Sequence, residues 1–114
     1  MLTTEALAQF GANVPEGLER CLNDEAFYLE LVEMTLEDDS FSRLSDAVEA
    51  GDKKAAFEAA HALKGVAANV SLTPLYTEIA EMTELLRGGK DADYPAYLTR
   101  ILRLRDALLA LKNG

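Results

Sequence analysis

Three stop-and-restart signals cut most of this chain into pieces of helical length. Gly51 followed by Asp52 reads as a helix stop and then an N-cap. Thr73-Pro74 pairs a capping hydroxyl with a proline suited to the first helical position, and Gly88-Gly89 ends the segment that Thr73 opens. Asp91 or Asp93 starts a last helix, with Pro95 tolerated in its first turn. Within these bounds apolar residues recur at helical spacing: Leu75, Ile79, Met82 and Leu86, then Tyr97 or Leu98, Ile101, Leu104, Leu108 and Leu111. Upstream, Asn23 or Asp24 caps a longer stretch whose apolar face is read as Phe27, Leu31, Met34, Phe41, Leu44 and Val48. Its polar run Glu37-Asp38-Asp39-Ser40 reads as a solvated face, with a kink or a split as the alternative. Before it, Thr3 to Phe10 and Pro15 to Cys21 are short helices that must lie across a larger body.

No alternating segment bounded by turn residues suggests a strand. Four longer helices, at about 24–50, 53–70, 74–87 and 92–112, joined by short connections, predict an all-α, antiparallel up-down four-helix bundle. One or two short helices within 3–21 precede it. The chain of 114 residues is expected to form one domain, 1–114.

Charge narrows the class of partner. Twenty acidic residues against eleven basic ones give a net charge of −9, which opposes nucleic acid or an anionic membrane as a partner. No run reaches the ~18 apolar residues of a membrane span, and the opening Met1-Leu2-Thr3-Thr4-Glu5 lacks the basic flank and apolar core of a signal peptide. The single Cys21 can form no internal disulfide and reads as a core thiol. A reducing, cytoplasmic setting is expected.

The only histidine, His61, lies in an alanine-rich helix. Ala56, Ala60, Leu63, Ala67 and Val70 gather on one side of that helix as a core stripe, and His61 points roughly opposite its centre. Lys64 and Gly65 stand one turn further on, Ala68 two turns on, and Phe57 one turn back toward the core flank. Glycine in a helix interior costs roughly 1 kcal/mol against alanine. Gly65 therefore needs a reason: either something approaches the backbone beside His61 closely, or two helices pack tightly there.

The run Ala60-His61-Ala62-Leu63-Lys64-Gly65-Val66-Ala67-Ala68-Asn69 resembles the motif of histidine-containing phosphotransfer (HPt) domains, in which Ala-His-x-Leu-Lys-Gly is followed by small residues and Asn. The likeness extends upstream through Gly17-Leu18-Glu19-Arg20, Phe27-Tyr28-Leu29 and Gly51-Asp52, and covers roughly residues 10 to 88. The resemblance implies a phosphocarrier in a two-component phosphorelay rather than an enzyme. In that reading His61 is the phosphoacceptor, Lys64 offsets the phosphoryl charge, and Gly65 and Ala68 leave room for close approach. The partner is implied to be the receiver domain of a response regulator or hybrid histidine kinase, met by a monomer. No Gly-x-x-x-x-Gly-Lys run offers a nucleotide site, so no cofactor of its own is expected, and Mg is expected on the partner receiver. Phe57, Tyr28 and Leu31 are candidates for an apolar docking patch, each equally readable as core. Ser71 stands where the family commonly has glycine, and Met82-Thr83 where it commonly has Leu-Glu.

Two other classes compete. Glu58-x-x-His61 has the spacing of a ferritin-type ligand pair, but such sites need a second pair, and the chain has no second histidine. No metal is expected. A helical adaptor or anti-kinase module that binds receiver or kinase domains without turnover could share the fold and surface, but it would need none of His61, Lys64 and Gly65.

Overall fold

A computed structural model describes all 114 residues, in seven helices and the turns between them. They are α1 (Thr4–Phe10), α2 (Val14–Arg20), α3 (Glu25–Leu36), α4 (Ser40–Glu49), α5 (Lys53–Asn69), α6 (Thr73–Arg87) and α7 (Tyr94–Asn113). Side-chain caps start most of them. Thr3, Asn13, Asp24, Asp52 and Asp93 each accept a hydrogen bond from a backbone N–H in the first turn of the helix that follows. α4 and α6 start without a side-chain cap bond, and α6 corrects an expectation: Thr73 is its first residue rather than its cap, and Leu72 occupies the cap position.

The expected helix at 24–50 is two helices. Around Glu37 the polar run supplies its own backbone partners. The Ser40 N–H donates to the Asp38 carboxylate at 2.8 Å, and the Asp38 N–H donates to the Thr35 carbonyl. Short acidic side chains that bond the local backbone compete with helix propagation, and the chain turns there.

α5 is the central element, flanked by α4 and α6, while α7 closes the ring by packing on both of those. With connections this short, the four form an up-down bundle. The 25 buried apolar residues join in one cluster, so the core is continuous from the N-terminal helices through α7. No buried side-chain nitrogen or oxygen is left without a partner. No helix is long and apolar enough to cross a membrane.

α1 and α2 cover the end of the bundle where α5 and α7 finish. The Asn13 N–H donates to the Ser71 carbonyl at 2.9 Å, the Ser71 hydroxyl donates to Glu16 at 2.9 Å, and the amino terminus donates to the Lys112 carbonyl at 2.6 Å. Tyr28 ties α3 to the same end: its ring is fully buried, and its hydroxyl donates to the Val70 carbonyl at 3.0 Å. α2 must pass close to that ring. A Cβ on Gly17 would stand 2.5 Å from a Tyr28 ring carbon, so glycine is required there for a close approach.

Candidate functional site

α5 forms because Asp52 caps it and because twelve of its seventeen residues are alanine, lysine, leucine or glutamate, all strong helix formers, alanine above all. Ala56, Ala59, Ala60, Leu63 and Ala67 are its buried face. Small residues let α4 and α6 come close on either flank. The opposite face looks outward and holds His61, which is exposed.

One contact touches the imidazole, and three more link the residues around it. The Phe57 ring, one turn back, stacks on it at 5.7 Å between centroids and 16° between planes. The Arg87 guanidinium at the end of α6 lies 5.2 Å from the Phe57 ring centroid, within the range of a cation–π contact. Lys64, one turn on and three-quarters covered, reaches toward Glu84 of α6 at 3.9 Å. Glu84 also pairs with Arg87 at 3.4 Å. The α6 side of His61 is thus a small charged set, two cations sharing one carboxylate.

Gly65 borders the ring on the other side and is exposed; a Cβ built on it would meet nothing within 4 Å. Helix–helix packing therefore does not explain this glycine, and the space it leaves opens outward. Ala68, two turns from His61, is half-buried and lines a polar hollow of about 240 Å³ with Glu16, Arg20, Ser71, Thr73 and Tyr76.

The expected apolar patch is only partly present. Phe57 is half-buried and beside His61. Leu31 is half-buried and lines a groove of about 210 Å³ between α3 and the end of α5, with Met34, Val66 and Asn69. Tyr28 is not on the surface at all, and its place as a docking candidate is corrected: it is a core residue that bridges α3 to Val70. Burial also pushes the Tyr28 phenol up to about 12, with Cys21 adding to the shift. Phe27 and Met34, expected on the buried face, are the converse correction. They are 45% and 59% exposed, because the buried face of α3 is Tyr28, Val32, Thr35 and Leu36. Apolar residues on both sides of α3 give two stripes of equal periodicity, which a helical period alone does not rank.

Cys21 is a buried free thiol. Glu58 lies on the α4 flank, against a shallow hollow with Arg43 and Asp46. Ser71 adopts a left-handed backbone, φ +54°, which accounts for a preference for glycine at that position. Thr83 is buried, its hydroxyl bonded to the Ile79 carbonyl at 2.7 Å.

The Hpt domain family model matches residues 28–114, which takes in α7 and all but the start of α3, and leaves α1 and α2 outside. The resemblance at Gly17-Leu18-Glu19-Arg20 thus falls before the matched span. No curated protein and no solved structure matches the chain. Hpt domains are phosphocarrier modules of two-component systems that interact with receiver domains, and the match covers His61, Lys64 and Gly65 together with the bundle that presents them. The chain belongs to the Hpt domain family.

Proposed function

We propose that this protein accepts a phosphoryl group on His61 and passes it on, exchanging it reversibly with the aspartyl phosphate of a receiver domain in a phosphorelay. The observation that carries this reading is the exposed His61 ring between a cation one turn on and a glycine whose missing side chain serves no packing need within the chain. In the forward step a ring nitrogen's lone pair attacks phosphorus. The N–P bond forms as the P–O bond to the aspartate breaks, the carboxylate leaves as an anion, and the other ring nitrogen keeps its proton. Lys64 offsets part of the roughly two negative charges that arrive with the phosphoryl group. Mg²⁺ and the groups that activate the acyl phosphate belong to the receiver in this scheme. Phe57 holds the imidazole by stacking and, with the Leu31–Met34–Val66 groove on the other flank, offers the receiver apolar contact on both sides of the ring. The protein works as a cytoplasmic monomer.

The test is transfer from a receiver carrying labelled aspartyl phosphate. The label is expected to move to this chain in an acid-labile, alkali-stable form and to be absent with His61→Gln. Lys64→Ala should slow transfer about tenfold, the kinetic equivalent of ~1.4 kcal/mol, with the bundle intact by circular dichroism. Binding of receivers with no transfer of label would mean that the chain is an adaptor instead.

A further inference from the structure

Glu84 has no part in the scheme above, yet it is the anion nearest to the cation that the scheme relies on. It sits on α6, holds Lys64 at 3.9 Å and Arg87 at 3.4 Å, and its own side chain is 60% exposed. A carboxylate fixed there lowers the charge that Lys64 can offer to anything on His61. Before phosphorylation, Lys64 and Arg87 share a single negative charge. Once His61 carries a phosphoryl group, a doubly charged anion one turn away competes with Glu84 for the same ammonium.

We propose that Glu84 is a positioning residue that tunes the phosphorylated state: by pairing with Lys64 it limits how strongly the phosphoryl dianion on His61 is held, and so keeps the group transferable. The inference rests on His61 as the phosphoacceptor. A carrier gains from such a device. A phosphohistidine held too well by its own protein would be a sink, whereas one with a contested counter-ion can go back to a carboxylate. Arg87 belongs to the same balance, since its pairing with Glu84 weakens that carboxylate's grip on Lys64. Arg87 stands three residues after Glu84, so one turn of α6 carries both, and Lys64 faces them from α5.

The competition predicts an electrostatic signature on the phosphoryl group itself. The whole protein is loaded chemically with phosphoramidate: the ring nitrogen attacks phosphorus, the P–N bond to the amine breaks, and ammonia leaves with the proton it takes up. The ionisation of the phosphoryl group is then followed against pH by ³¹P NMR. Glu84→Gln frees Lys64 and should favour the dianion, raising the ionisation constant about two- to fivefold, the range of a surface ion pair worth ~0.4–1 kcal/mol. In a Lys64→Ala background the same Glu84→Gln change should have little effect. Glu84→Asp, which keeps the charge on a shorter arm, should fall between.

An unchanged ionisation constant in Glu84→Gln would overturn the proposal, and so would a change of equal size with Lys64 absent, because that would be the direct field of Glu84 and not competition for the lysine. Loss of stability alone cannot produce the dependence on Lys64. The failure of the underlying reading would look different: a receiver would then transfer no label to His61, while the titration of the chemically loaded protein would still report on Glu84.

Discussion

Gly65 separates the needs of the fold from the needs of the site at a single atom. Its Cβ position is empty, with nothing within 4 Å, and its place within α5 makes it costly for the helix. Gly65→Ala is therefore expected to stabilise the protein by up to ~1 kcal/mol, seen as a higher melting temperature. The same variant should transfer phosphate more slowly, because a methyl group would stand where a partner closes on His61. A Gly65→Ala protein that is more stable and transfers at the wild-type rate would remove close approach as the reason for the glycine. At this scale the sequence was most informative: His61, Lys64 and Gly65 fall on one face by helical geometry alone, and the structure places them on one face of α5. What could not be read was the α6 contribution. Glu84 and Arg87 are 23 and 26 positions from His61, and nothing in a local pattern says which turn of a neighbouring helix will come to rest beside it.

At the scale of the element, α3 is the informative case. Its residues are apolar on more than one side, so a stripe through Phe27, Leu31 and Met34 and another through Tyr28, Val32 and Thr35 satisfy the same 3.6-residue period. The fold buries the second and leaves Met34 more than half exposed. A pair of truncations tests the register. Val32→Ala removes buried methyl groups from a fully enclosed position and should cost about 1–3 kcal/mol in denaturant unfolding. Met34→Ala should change stability by less than ~0.5 kcal/mol but weaken binding of a receiver, since Met34 lines the groove with Leu31 and Val66. The opposite ranking would mean that the face of α3 is inverted. The break between α3 and α4 has a similar origin. An acidic run reads equally well as a solvated helix face or as a stop, and the hydrogen bond from the Ser40 N–H to Asp38 decides for the stop. By contrast the α5, α6 and α7 boundaries were plain, because glycine, proline and capping carboxylates mark them locally.

For the molecule as a whole, the end of the bundle where α5 finishes depends on Tyr28, a residue that joins three elements. Its hydroxyl holds the last turn of α5 through Val70, its ring fills the space opened by Gly17 in α2, and its backbone belongs to α3. Burial raises its folded-state pKa from an ordinary 10.0 to about 12, and the sign of the stability change follows. A group that binds its proton more tightly when folded contributes fully below its unfolded pKa, and that contribution is lost as pH rises through the folded value. Stability is thus expected to decline between about pH 10 and pH 12 as the unfolded chain gains by ionising Tyr28 while the native state resists it. Lys53 and Lys112, whose pKa values are raised by hydrogen bonds to Asp91 and Glu37, lose protons in the same alkaline region, so the decline in wild-type protein is not Tyr28's alone. Tyr28→Phe isolates it. That variant should be less stable at neutral pH by about 1–2 kcal/mol, the cost of leaving the Val70 carbonyl without this donor in a buried site, and the gap to wild type should close as pH approaches 12. Urea unfolding of the two proteins at pH 8, 10 and 11.5 gives the comparison directly. A gap that stays constant across the series would mean that the phenol ionises as easily folded as unfolded, and the bridge from α3 to the end of the His61 helix would then not be the sealed contact that its burial describes.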